Sequence, residues 1–278
     1  MKILKLSSLI AVLAFALTSC DIIEEPVCLD CQAAESEMKV LLEDFTGHLC
    51  GNCPRAHEQL EQLEENYGDN LIVIAIHAGG FANTFPAAGY EPDYTTLMGD
   101  DLESHYDADN EGLPVGMVNR RTWQDGKVLQ KFAGWGTQIS TILAEEPPLK
   151  IELSAELGDN NDIDVDVDLT YFQPGSADHH LVVVVTEDSI YSKQSDYDEP
   201  SGSISSYHHK HMLRGTFTNG TWGDQISTSA IDAGDIFDKD ITTAWNSDWV
   251  AANCHIVAYV IDNSTKEILQ AEQVSITE

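Results

Sequence analysis

Basic residues are scarce in this chain. Only 14 Lys and Arg stand against 47 Asp and Glu, for a formal charge of −33 at pH 7. Such a surface repels nucleic-acid phosphates and anionic lipid headgroups, so nucleic acid is excluded as a partner. Long apolar runs are also lacking. Ile10–Leu17 falls short of the roughly 20 residues a membrane-spanning helix needs, and no later run reaches that length. The acidic residues are spread along the chain and interrupted by apolar segments, which argues against disorder.

Lys2 and Lys5 followed by the apolar Ile10–Leu17 run read as a secretory signal over residues 1–19. That segment ends in Leu17-Thr18-Ser19-Cys20, which resembles the lipobox of bacterial lipoproteins. Cleavage before Cys20 and acylation of that cysteine are the expectation, with the membrane reached through the lipid anchor. An ordinary signal with an unmodified Cys20 is the alternative. Residues 20–37 are acidic and without period, and read as a tether.

From Met38 the pattern alternates strand and helix. A strand over 38–45 leads through Cys50-Gly51-Asn52-Cys53 into a helix over 53–67. The continuous apolar run Leu71–Ile76 reads as a strand buried on both faces. A loop over 79–96, which could cover the cysteines as a lid, precedes a helix around 93–106. A turn at Gly112 feeds a strand to Val118, with Val128–Phe132 as its expected partner and a last helix over 137–145. Such alternation implies an α/β unit over 38–146. At Pro147-Pro148 the pattern changes. Strand-like segments at 149–157, 163–169, 181–186, 256–261 and 268–276 suggest a β-sandwich over 149–278.

The cysteines carry the chemistry. A CxxC between a strand and a helix start is the thioredoxin-like arrangement, and the helix N-terminus favours a thiolate. In a redox reading Cys50 is the nucleophile and Cys53 the resolving thiol, exchanging with thiols and disulfides of envelope proteins. Asp44, near the end of the incoming strand, sits where thioredoxins carry a buried acid that helps move a proton for the second cysteine, and Pro114 sits where thioredoxin folds carry their cis-proline loop. His48, two residues before Cys50, could support its thiolate. In a zinc reading Cys28-x₂-Cys31 and Cys50-x₂-Cys53 form one tetrathiolate site. In an inert reading Cys50–Cys53 is a structural disulfide of a binding lipoprotein. Cys28 and Cys31 offer a second disulfide in an oxidising compartment. Cys254 reads as a buried free thiol. No cofactor is implied.

Two other groups have spacings that bear on metal binding. His209 and His211 would share one face of a strand, with His179 and His180 nearby, which suits a metal but equally a polar strand. Asp162, Asp164, Asp166 and Asp168 alternate with Ile163, Val165 and Val167, so the carboxylates lie on one strand face about 6.6–7 Å apart. They lack the glycine and terminal glutamate of a calcium loop and read as a solvated face.

Three segments resemble the Omp-twenty-eight-related outer-membrane lipoproteins of Gram-negative bacteria: Glu43–Pro54, Tyr207–Arg214 with Gly220–Asp224, and His255–Asp262 through Val274. The resemblance implies an α/β thioredoxin-like domain followed by an all-β immunoglobulin-like sandwich on a lipid anchor, at the outer membrane. It implies architecture more than activity. The central Gly51-Asn52 differs from the Gly-Pro of thioredoxin, so the direction of electron flow stays open.

Overall fold

The computed structural model describes residues 36–277. The signal segment, Cys20, Cys28 and Cys31 lie outside the described residues.

The first strand, β1 (Val40–Thr46), is buried along its whole length. A turn through the CxxC leads into helix α1 (Cys53–Tyr67), opened by Pro54 at a position that needs no backbone N–H. Ala56, Leu60 and Leu63 form its buried stripe, and Gly68 ends it at φ 53°. Strand β2 (Leu71–His77) returns parallel to β1 and is buried on both faces, as its unbroken apolar run requires. Helix α2 (Leu97–Tyr106) is capped by the Thr96 hydroxyl, which accepts from the Gly99 N–H at 2.9 Å. A single turn, α3 (Ala108–Glu111), precedes the cis Leu113-Pro114 bond and strand β3 (Val115–Val118), antiparallel to β1. The expected partner strand over 128–132 reduces to a bridge between Gly116 and Gln130. Phe132–Gly134 already turns into helix α4 (Trp135–Ile142), whose Trp135 and Ile139 are wholly buried.

Strands fill the rest of the chain: β4 (Leu149–Leu157), β5 (Asp162–Tyr171), β6 (His179–Glu187), β7 (Ile190–Ser195), β8 (Ser203–His209), β9 (Met212–Thr216), β10 (Asp224–Gln225), β11 (Ile236–Ala244), β12 (Cys254–Asp262) and β13 (Ile268–Ser275). The protein is mostly β, with mixed and antiparallel sheets. The largest sheet runs β13-β12-β6-β9-β2-β1-β3, with β10 beside β6. A second sheet has the order β11-β5-β4, and β7 and β8 form a separate hairpin.

Pro147-Pro148 therefore does not separate two independent cores. Strand β9 joins β2 through Ala75 and Met212, so the large sheet contains strands from both sides of the prolines. Val182 and Val184 of β6, with Val257, Tyr259 and Ile261 of β12, share a core with β1, β2 and α2. The alternate residues Leu181, Val183, Val185, Ile256, Ala258 and Val260 face β4 and β5 in a second core. A third packs α1 and α4 against the other face of β1 and β2. The ion pair of Glu43 and Arg120, both buried, ties the halves further, since Arg120 Nη2 also donates to the Tyr259 hydroxyl at 3.1 Å.

The alternation of β5 is as its sequence requires. Ile163, Val165 and Val167 are buried, and Asp164, Asp166 and Asp168 are exposed. The shared strand expected for His209 and His211 is not formed. Strand β8 stops at His209, and His211 adopts φ 53° before β9 begins. Among the described residues no helix is long and apolar enough to cross a membrane.

Candidate functional site

Cys50 and Cys53 are joined in a disulfide at the head of α1, with Cα atoms 5.4 Å apart. The turn that presents them is closed by Cys50 N–H to the Gly47 carbonyl at 2.9 Å. Neither cysteine reaches solvent: Cys50 is 2 % exposed and Cys53 is 0 % exposed. With the two sulfurs bonded to each other, this pair has no thiolate to offer zinc.

Two segments cover the disulfide. The loop after β2 packs on residues 47–49, as expected of a segment over the cysteines. Leu49 donates to the Phe81 carbonyl at 3.0 Å, and a His48 ring nitrogen lies 2.9 Å from the Asn83 carbonyl. Gly47 is needed there, because a Cβ would fall 2.4 Å from the Phe81 carbonyl oxygen. The second cover was not foreseen and comes from the β7–β8 hairpin. Ser195 N–H donates to the His48 carbonyl at 2.8 Å, and Tyr197 N–H to the Gly51 carbonyl at 2.9 Å. The wholly buried Gln194 amide donates to the Cys50 carbonyl at 2.9 Å and the Gly47 carbonyl at 3.3 Å. Asp198 takes both arms of Arg55, one turn into α1, at 2.6 Å. The hairpin thus lies along the disulfide turn as an extended strand would, using alternate backbone donors.

Polar groups of β1 and β8 gather around His57 of α1. Asp44 on β1 is 0 % exposed, and neither of its oxygens holds a hydrogen bond. Burial raises its pKa; the nearby His57 opposes that shift. His57 lies four residues after Cys53 on α1, hence on the same helix face. Its Nε2 is 3.4 Å from Asp44 Oδ2 and 3.1 Å from the Thr46 hydroxyl. Its Nδ1 is 2.7 Å from the Tyr207 hydroxyl of β8. Burial holds the Tyr207 phenol above its ordinary pKa, so it stays protonated. A cavity of about 40 Å³, lined by Asp44, Thr46, His57, His77, Tyr207 and His209 among others, lies between these elements. That is room for at least one water.

His77 and His209 meet ring to ring at 5.6 Å, and both contact Tyr94. Burial lowers both pKa values, that of His209 to about 3, so both are neutral at pH 7. His211 is instead engaged by acids, 2.8 Å from Glu64 and 3.5 Å from Asp188. His209 and His211 are therefore not a common metal site. Among the described residues no group of three or more His, Cys, Asp or Glu is arranged to hold a metal ion. His179 bonds Tyr171 and His180 bonds the Trp222 carbonyl, each in its own surroundings. Cys254 is free and buried, and its thiol is pushed up to about 12 by desolvation.

Pro114 precedes Val115, whose register partner is Phe45 of β1. This places the cis peptide at the end of the sheet from which the CxxC turn leaves. Cys50, Cys53, Asp44 and Pro114, the residues singled out in the sequence, thus lie on β1, in the turn and helix start that follow it, and immediately before β3. Sequence reasoning missed His57, although the helical spacing from Cys53 was a signal. It also missed Gln194, Tyr197 and Tyr207, for which only the Tyr207-His208-His209 segment gave any hint.

Together these features define a mostly β protein in which a disulfide at a helix start is enclosed by a hairpin from the second half of its own chain. The family model described as outer membrane protein Omp28 matches residues 100–278, and the chain belongs to that family. The matched span begins after the CxxC. Membership agrees with the envelope location expected from the Leu17–Cys20 motif and makes it an outer-membrane one. No curated protein matches the chain in sequence. Among solved structures, HBP35 of Porphyromonas gingivalis is similar at 14 % identity and a TM-score of 0.60, over 86 % of this chain and 76 % of that one. A structural-genomics protein of Agrobacterium tumefaciens is similar at 14 % identity and a TM-score of 0.50, over 86 % and 95 %. A domain of the outer membrane lipoprotein Omp28 from Porphyromonas gingivalis matches at 23 % identity and a TM-score of 0.30, over 47 % and 89 %. The first two likenesses concern the fold alone.

Proposed function

We propose that this chain is a lipid-anchored outer-membrane protein whose thioredoxin-like Cys50–Cys53 centre exchanges thiols and disulfides with envelope proteins. One observation carries the reading. The disulfide opens α1 directly after the strand that buries Asp44, and the strand led by Pro114 lies beside it. A helix start favours the Cys50 thiolate through its free N–H groups and its dipole. A buried carboxylate accepts a proton readily because burial raises its affinity for one. In the reduced state Cys50 attacks a partner disulfide. Cys53 then gives its proton to Asp44 and displaces the partner from Cys50. The partner gains two electrons, and the Cys50–Cys53 dithiol loses them. Because both sulfurs are enclosed, the hairpin must lift before a partner can enter.

The test is a Cys53→Ser variant of the full chain, expressed in its envelope. Proteins trapped on Cys50 as mixed disulfides are the expected result. An absence of trapped proteins, together with a disulfide that glutathione leaves untouched, would sink the reading.

The enclosure itself favours a second reading, a binding lipoprotein in which the disulfide is structural. It expects the Cys50→Ser, Cys53→Ser double variant to be destabilised but to keep every partner the native protein binds in a pull-down.

A further inference from the structure

We propose that His57, held in place by Tyr207, is a positioning residue for the exchange, carrying the proton of Asp44 between the buried carboxyl group and solvent. The inference rests on the thiol-exchange reading above and adds the path by which Asp44 is reset.

The need for such a path follows from burial. Asp44 is wholly enclosed and its oxygens hold no hydrogen bond, so a proton taken from Cys53 has no direct way out. His57 supplies the contact. Its Nε2 lies 3.4 Å from Asp44 Oδ2, whereas its side chain is 20 % exposed. It is thus in contact with the buried acid while its own side chain reaches solvent. Tyr207 fixes the ring at the other nitrogen, at 2.7 Å. The water-sized cavity beside Asp44 gives the proton a second short route to the same ring.

The surrounding charges leave this pair to itself. Of the acids on α1 facing the cavity, Glu61 is matched by Lys210 at 2.8 Å and Glu64 by His211 at 2.8 Å. From β2 the facing group is His77, and from β8 they are Tyr207, His208 and His209. His77 and His209 are neutral near pH 7, so neither competes for the proton. Glu58 and Asp196 add negative charge near Tyr207, which keeps its proton.

The step balances as follows. When Cys53 attacks the mixed disulfide, its S–H proton passes to an Asp44 oxygen. A sulfur–sulfur bond forms between Cys53 and Cys50, and the bond between Cys50 and the partner breaks. The partner leaves as a thiolate with the electron pair. Asp44 gives a proton to His57 Nε2 both before the attack, to become the acceptor for Cys53, and after it, and each time the imidazolium releases that proton to water. Imidazole suits this role because one ring nitrogen can take up a proton while the other is held by a partner, here Tyr207.

The experiment uses the full chain, reduced and freed of reductant, then mixed with glutathione disulfide across pH 5–9. Acid quenching and mass spectrometry follow the glutathione adduct on Cys50 as it forms and resolves. In His57→Gln, adduct formation should match wild type, while resolution near pH 6.5 should slow about tenfold. The pH profile of resolution should also lose the inflection that wild type shows. Tyr207→Phe, which keeps the ring and loses the hydroxyl, should shift that inflection. A merely structural role would scale resolution equally at every pH. Exchange by wild type with an identical His57→Gln profile overturns the relay alone. No adduct and no exchange by wild type overturns both the relay and the reading beneath it.

Discussion

The backbone N–H of Tyr197 donates to the carbonyl of Gly51, 2.9 Å away, and its ring lies against the Gly51 backbone between the two cysteines. Gly51 and Tyr197 are far apart in sequence, and their contact shuts the disulfide. The closest hold on the hairpin beside it is Gln194, whose amide serves two carbonyls of the CxxC turn.

Access to the disulfide should therefore depend on the hairpin. Replacing Gln194 with Ala removes two buried hydrogen bonds, each worth about 0.5–1.5 kcal/mol. The open state should become about 5–160-fold more populated, at about 1.4 kcal/mol per tenfold. Reduction of Cys50–Cys53 by dithiothreitol, followed by thiol titration under native conditions, should accelerate by the same factor. An unchanged rate would show that reduction proceeds without hairpin opening.

Asp44 should be a cost to stability. Burial raises its folded-state pKa, so the ionised form is disfavoured in the folded protein. The penalty is present above the raised pKa and vanishes as pH falls below about 3.8, where the unfolded state is protonated too. Asp44→Asn should thus raise stability at pH 7 and change it little at pH 3. Urea unfolding of the oxidised proteins at the two pH values measures both effects.

His209 acts with the opposite sign. Its folded pKa is about 3, against about 6.5 when unfolded. The stability it permits is complete above pH 6.5 and is lost as pH falls toward 3. Between pH 7 and pH 5 the loss is about 2 kcal/mol for this group. His209→Gln should lose that much less stability than wild type over the interval. Parallel pH dependences of the two urea midpoints would show that His209 stays neutral for another reason.

The buried pair of Glu43 and Arg120 should tie the two halves. Glu43→Ala leaves a buried guanidinium without its carboxylate, at a cost of about 3–5 kcal/mol. Arg120 also holds Tyr259 of β12, so near-ultraviolet signals from both halves should be lost in one transition. Two separated transitions in the variant would show that the halves unfold independently.

Much of the site was legible because its signals are local. Cys50, Cys53 and Pro54 sit within one turn, and the helix over 53–67 follows from its apolar spacing. The alternation of β5 was equally plain. The hairpin was not legible. Strand β7 (Ile190–Ser195) has polar residues on both faces and β8 has serines and histidines, so neither shows the period of a half-buried strand. Their burial comes from contact with α1 and the CxxC turn, not from their own apolar pattern. His211 broke an expected strand because a left-handed residue there redirects the chain from β8 into β9.

The sequence alone determined the compartment expected from the Leu17–Cys20 motif, the strand–CxxC–helix order, the acid at Asp44 and the run of strands after Pro148. These rest on neighbours within a few residues, where helix and strand periods act. Tertiary structure decided what the sequence could not: that β6 and β12 serve cores on both faces, that Pro147-Pro148 marks no break in the sheet, and that the disulfide is closed. The reason is physical. A hydrophobic run states only that a strand is buried, and which surfaces bury it depends on chain segments a hundred or more residues away. Gln194 and Tyr197 gain their role over Cys50 and Gly51 by that route alone.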